Sequence, residues 1–231
     1  MTQNKRYVVA NWKSHKTTKE AEQWLSTFLK KYQPAPDVQV IIAPSFICLE
    51  PLSRLLTEQA ATGIALAAQD LSPFPNGAYT GAVTATMVKD LVKYAFIGHS
   101  ERRRYFHENN QEIANKVTEA VAAGITPILC LDQPYAAAQI AALTEADAEK
   151  ILIGYGPVEA IGIDIPQSRN LVTEAIQEIR SRLPNRPILY GGSLSAANAA
   201  DYMRIDGISG VMAGSASLDP LEFAEICAAV G

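Results

Sequence analysis

Three places in the chain combine residue types suited to handling a small anion and a proton. Asn11-Trp12-Lys13 puts an ammonium group just past an apolar run. Standing alone, such a lysine reads as an ordinary surface charge; as a compact point charge it also tolerates several phosphate orientations. Ile97-Gly98-His99-Ser100-Glu101-Arg102-Arg103 sets a histidine where a strand ends and a helix opens. The positive end of a helix disfavours an imidazolium, and a neutral imidazole can donate a hydrogen bond to a carbonyl oxygen and polarise it. A lone histidine is more often structural, and His15 and His107, which lack this setting, read as surface residues. The third place is double: Tyr190-Gly191-Gly192-Ser193 and Ala213-Gly214-Ser215-Ala216. Each alone reads as a tight turn. As a pair after successive strands, they suit an anion held by backbone N–H groups at helix starts.

Elements must position these groups, and the sequence supplies them. Near-continuous apolar runs at 7–10, 38–43, 64–68, 94–98, 126–130, 151–155, 187–190 and 208–213 read as eight strands buried on both faces, as parallel strands are. Helical periodicity lies between them. Residues 18–31, capped by Thr17 or Thr18, place Ala21, Trp24, Leu25 and Phe28 on one face. Residues 110–123 carry Ile113, Val117, Ala120 and Val121 and stop at Gly124. Residues 171–183 stop before Pro184, and Asp219-Pro220 opens the last helix with a cap and a first-turn proline. The alanine-rich 136–143 stretch predicts one short helix, and Arg102-Arg103-Arg104 a helix start. Eight strands each followed by a helix suit a closed α/β barrel of eight parallel strands, (β/α)8, better than an open doubly wound sheet. No linker interrupts 1–231, so the expectation is a single domain. Such barrels place their chemistry at the C-terminal strand ends, where Lys13, Gln69-Asp70, His99 and both glycine-serine loops fall.

Bulk properties exclude several functions. The chain has 231 residues, 48% hydrophobic and 19% charged, enough for a large core. A net charge of −4 and no basic face argue against nucleic acid. No stretch is apolar and long enough to span a bilayer. Cys48, Cys130 and Cys227 are odd in number and far apart in apolar surroundings; they read as reduced, buried thiols of a cytoplasmic protein and give no metal spacing.

Six ordered fragments carry a resemblance: Asn11-Trp12-Lys13, 77–81, 97–103, 127–130, Tyr190-Gly191-Gly192-Ser193 and Ala216-Ser217-Leu218. Together they resemble the signature segments of the triose-phosphate isomerase family from end to end. The short 131–150 segment and 157–162 look like its compact archaeal branch. The resemblance implies a TIM barrel that interconverts glyceraldehyde 3-phosphate and dihydroxyacetone phosphate, with no cofactor and no metal. It implies a homodimer or a homotetramer in the cytoplasm, and no partner beyond a small phosphorylated metabolite. Lys13 would be the electrostatic clamp, supported by Asn11; His99 the neutral electrophile; Glu101 its neighbour in the polar network. Backbone groups of Gly162, Ser193, Gly214 and Ser215 would hold the phosphate. That division of labour is the family's own.

The pattern breaks at the end of the sixth strand. Where the family has Tyr-Glu-Pro, with the glutamate as catalytic base, this chain has Tyr155-Gly156-Pro157. Ile163 and Asp164 replace the lid's usual Thr-Gly, Ala82 replaces a glutamate after Thr80-Gly81 in the dimer loop, and Leu131-Asp132-Gln133 replaces Ile-Gly-Glu. Glu159 reads as a lid-hinge residue before it reads as a substitute base. The expectation is an isomerase slowed by the missing base, or a relative that binds a small anion without turnover. A purely structural role has little support, because the polar strand ends are retained.

Overall fold

The computed structural model describes residues 5–132, 135–157 and 167–231. Eight parallel strands close into a barrel in chain order: β1 (Arg6–Asn11), β2 (Val38–Ala43), β3 (Ile64–Ala68), β4 (Tyr94–Ile97), β5 (Thr126–Leu131), β6 (Leu152–Tyr155), β7 (Ile188–Tyr190) and β8 (Ile208–Ala213). Closure comes from β1, which pairs with β2 through Val8↔Val40 and with β8 through Val8↔Val211.

Both strand faces are covered, which is why the runs do not alternate apolar with polar. Val9, Ile41, Tyr94, Phe96, Ile128 and Leu189 pack together in one buried cluster. Their chain neighbours, among them Val8, Val40, Ile97, Leu129 and Ile188, belong to a second cluster shared with the helices. A period of two within each strand thus sorts side chains between two dry layers.

The helices are α1 (Thr18–Leu29), α2 (Leu49–Glu58), α3 (Ala85–Val88), α4 (Ser100–Tyr105), α5 (Asn110–Ala122), α6 (Ala136–Ala141), α7 (Glu145–Ala148), α8 (Arg169–Arg182), α9 (Ala199–Met203) and α10 (Pro220–Val230). Thr17 and Asn109 cap α1 and α5 as capping boxes with Glu20 and Glu112. Asp219 caps α10, accepting from the amides of Leu221 and Glu222 at 2.7 and 3.0 Å. The 131–150 stretch holds two short helices, α6 and α7, rather than one: Thr144 accepts the Asp147 amide at 3.1 Å and restarts the helix. The three arginines end α4 rather than start it, where cations suit the negative end of the dipole.

They also do not form one basic surface. Arg102 pairs with Asp70 at 2.9 Å and with Glu108. Lys116 of α5, only 4% exposed, pairs with the same two carboxylates at 2.6 and 2.5 Å. This buried cross ties the end of β3 to α4 and α5. Arg104 lies over the Tyr105 ring at 5.2 Å.

Candidate active site

The C-terminal strand ends open onto a cavity of about 680 Å³ whose lining includes Asn11, Lys13, His99, Gly156, Ser193, Gly214 and Ser215. Seven of the nine residues singled out from the sequence therefore meet in one place. Glu101 stands behind the lining, and Gly162 lies outside the described residues, as do Glu159, Ile163 and Asp164.

Lys13 follows β1 in a left-handed backbone conformation, φ 51, which residues with a Cβ rarely adopt. Two side chains hold it there. Asn11 Oδ1 accepts the Lys13 amide at 3.0 Å, and Gln69 Nε2 donates to the Lys13 carbonyl at 2.9 Å. Gln69 also donates to the Ala43 carbonyl at 2.9 Å, so the ends of β1, β2 and β3 are stitched by one amide. The ammonium reaches Glu101 at 2.7 Å, and a Cβ built on Gly214 would lie 3.8 Å from Lys13 Cε. The lysine stem thus runs beside the β8 loop.

His99 caps α4. Gly98, at φ +70, makes the turn out of β4 that brings it there. The His99 Nδ1 accepts the Glu101 amide at 3.2 Å. A backbone N–H cannot be given up, so Nδ1 carries no proton and the neutral ring carries its hydrogen on Nε2. Burial is the main force that lowers the His99 pKa, to about 4; Glu101 opposes it, while Lys13, Arg103 and Arg102 reinforce it. Desolvation, not the dipole of the six-residue α4, is the principal cause of neutrality. The Glu101 carboxylate lies 3.7 Å from Nδ1, but facing a neutral imidazole this is no ion pair.

Two glycine-serine loops complete the cavity wall. After β7, a Cβ on Gly191 would fall 2.6 Å from Met212 Cε, so a side chain there would have to displace the methionine tip. Ser193 turns left-handed at φ 38. After β8, Gly214 opens the 3-10 turn Ser215–Leu218, and its carbonyl accepts from the Ser217 amide at 2.9 Å and hydroxyl at 2.6 Å. Gly156 follows β6, its amide 3.4 Å from the Leu131 carbonyl. Among the described lining residues, the one carboxylate is Glu222, in the first turn of α10.

Three contributors escape the sequence reading. Gln69 sits at a strand end, but nothing in its type announces that it holds Lys13. Arg103 donates to the carbonyls of Gly98 and, at 3.1 Å, of Cys130, so it braces the ends of β4 and β5. Asn198 bonds the β7 loop from the start of α9. His15, read as a surface residue, is exposed and also lines the cavity rim, with Nδ1 2.9 Å from the Trp12 carbonyl. Cys130 lines the cavity too, and burial pushes its thiol up to about 12, so it stays protonated.

Among the described residues, no group of three or more His, Cys, Asp or Glu is placed to hold a metal. None of the described helices is long and apolar enough to cross a membrane.

The family model described as triosephosphate isomerase matches residues 6–230. The triosephosphate isomerase of Thermodesulfovibrio yellowstonii is 37% identical over 244 residues, covering 96% of this chain and 98% of that protein. That of Symbiobacterium thermophilum is 37% identical over 96% of this chain and 95% of its own length. That of Aquifex aeolicus is 34% identical over 96% and 98%.

Proposed function

The chain belongs to the triosephosphate isomerase family, and on that premise we propose that it interconverts glyceraldehyde 3-phosphate and dihydroxyacetone phosphate at a rate held down by Gly156. The observation that carries this reading is the convergence of Lys13, a neutral His99 and both glycine-serine loops on one cavity. The substrate phosphate rests against backbone N–H groups of Ser193, Gly214 and Ser215, with Gly162 as a further contact by family resemblance. Lys13, beside Gly214, neutralises phosphate and the oxyanion that develops on the substrate. His99 Nε2–H donates to the carbonyl oxygen and passes protons between the two substrate oxygens; its low pKa makes it an electrophile that need not first lose a proton. Glu101 orients both groups, through its carboxylate to Lys13 and its amide to His99.

The carbon-bound proton is the difficulty. At the place where family members present a carboxylate this chain has Gly156, and general-base catalysis contributes about 10²- to 10⁴-fold. The compact, archaeal-like form without its glutamate is therefore a slow isomerase. The second reading, a binder of a small phosphorylated or anionic metabolite without turnover, draws on the same Gly156 and keeps the anion loops. An isomerase assay with glyceraldehyde 3-phosphate, run beside phosphate calorimetry, separates them. Turnover above the solvent rate supports the first, and phosphate binding with no turnover supports the second.

The exposed apolar side chains support a homo-oligomer. Among the described residues, seven of the ten exposed large apolar side chains fall between 46 and 106: Phe46, Ile47, Phe74, Tyr79, Met87, Tyr105 and Phe106. A second copy of the chain covers side chains of this kind in a homodimer, and a homotetramer is the outcome if further surfaces pair. Light scattering decides between them, and a monomer would overturn both. Buried, unpaired Cys48, Cys130 and Cys227 fit a reducing cytoplasm.

A further inference from the structure

We propose that Asn198 is a positioning residue for the anion site, holding the β7 loop in its strained form from the turn that leads into α9. The inference rests on the reading of that loop as the phosphate-holding one.

The loop carries its strain at an unexpected residue. Glycines at 191 and 192 precede Ser193, yet the left-handed φ of 38 falls on Ser193, which has a Cβ. Such a conformation costs on the order of 1 kcal/mol and persists only where surroundings enforce it. Asn198 bonds the loop at that residue's carbonyl and again two residues on. Its Nδ2 donates to the Ser193 carbonyl at 3.1 Å, and its Oδ1 accepts the Ser195 amide at 2.9 Å. The two partners, one acceptor and one donor, fix which way the amide faces. One planar side chain therefore spans the three residues that follow the glycine pair.

Asparagine is a favoured N-cap, because its side chain accepts an orphan amide of the first turn. Asn198 occupies that position on α9, but makes no side-chain capping bond to it. Its Oδ1 bond closes the turn that runs from Ser195 into α9, where the amides of Asn198 and Ala199 return to the Ser195 carbonyl at 3.3 and 3.1 Å, and its Nδ2 bond reaches back to Ser193. Ser193, Ser195 and Asn198 line the same cavity as Lys13. Without the Nδ2 bond, Ser193 relaxes toward negative φ, and the adjoining peptide planes turn their N–H groups off the anion.

Inorganic phosphate binding by calorimetry, with thermal unfolding alongside, tests this on four proteins: the parent, Asn198→Ala, Ser193→Gly and the double variant. Asn198→Ala weakens phosphate binding about tenfold. Ser193→Gly alone is the reference for the double variant, because glycine takes positive φ without a side-chain penalty while keeping the backbone N–H. In the Asn198→Ala background, Ser193→Gly recovers at least threefold in affinity, which a merely structural role for Asn198 does not give. If Asn198→Ala does not fold, Asn198→Ser carries the same test, keeping an acceptor for Ser195 but failing to reach Ser193. A parent that binds phosphate beside an Asn198 variant that binds it equally well overturns this inference alone. A parent that binds none overturns the anion reading and the inference with it.

Discussion

His99 and Glu101 are joined through the backbone: the Nδ1 of His99 accepts the amide of Glu101 at 3.2 Å, while the carboxylate of Glu101 holds Lys13 at 2.7 Å. One residue thus sets the tautomer of the imidazole with its main chain and the place of the ammonium with its side chain. The two are linked because α4 begins at the end of β4, within reach of the Lys13 side chain.

The first prediction concerns pH. His99 has its pKa lowered from 6.5 to about 4. A base whose folded pKa is depressed binds fewer protons folded than unfolded, so its contribution to stability is complete above about 6.5 and is lost as pH falls toward 4. The shift corresponds to roughly 3 kcal/mol at most. Urea unfolding between pH 8 and 4 should show the parent losing stability over this window more steeply than His99→Gln. Identical slopes would place the imidazole in water.

Lys13 offers a separation of stability from function. Its φ of 51 is strained for lysine and natural for glycine. Lys13→Gly should unfold at the same or slightly higher temperature, by up to about 1 kcal/mol of added stability, and bind phosphate at least tenfold more weakly. A variant that loses stability while keeping phosphate affinity would mean that the ammonium acts as a structural ion pair with Glu101.

The buried cross of Asp70, Arg102, Glu108 and Lys116 should respond differently to single and paired neutralisation. Lys116→Met strands two carboxylates, at 15% and 6% exposure, with Arg102 as their remaining cation. Removing one partner from such a site costs about 3–5 kcal/mol. Asp70→Asn added to Lys116→Met should return part of that loss, because it removes a charge that burial already disfavours; desolvation raises the Asp70 pKa. Denaturant midpoints of the parent, Lys116→Met, Asp70→Asn and the double variant decide it, and simple additivity would mean the charges do not share a site.

The barrel was legible because parallel strands covered on both sides leave unbroken apolar runs, and all eight appear within a residue or two of where the runs lie. Helices with a boundary signal were legible as well: Thr17 and Asp219 announce α1 and α10, and Gly124 marks the end of α5. The sequence reading leaves out α2, where Pro51 interrupts the pattern; in a first turn its missing N–H costs nothing. In the site, charge and glycine pairing point to Lys13, His99 and the two loops. Gln69, Arg103 and Asn198 stay hidden, because each acts by bonding a backbone carbonyl distant in sequence or across a loop, and no local pattern encodes such a partner.

The last prediction concerns turnover. The proposed site has a clamp and an electrophile, and at Gly156 no carboxylate to take the carbon-bound proton. Isomerisation by the parent should therefore be slow or undetectable. Gly156→Glu should raise kcat by tenfold or more, still short of the about 10²- to 10⁴-fold a well-placed base gives. The expected shortfall is assigned to Asp164, a carboxylate that the family resemblance aligns with the lid's usual glycine and that lies outside the described residues. Two like charges about 4 Å apart cost on the order of 1 kcal/mol in water and more in a closed site. Asp164→Gly alone should improve phosphate affinity and leave kcat low. The double variant should exceed either single one, and by more than their product, because base and phosphate grip act on one transition state. Steady-state kinetics on the four proteins provide the measurement. Parent turnover equal to that of the double variant would mean another group already serves as the base; Glu159→Gln would then be the variant to make, and the assignment of Gly156 as the lost base would be wrong.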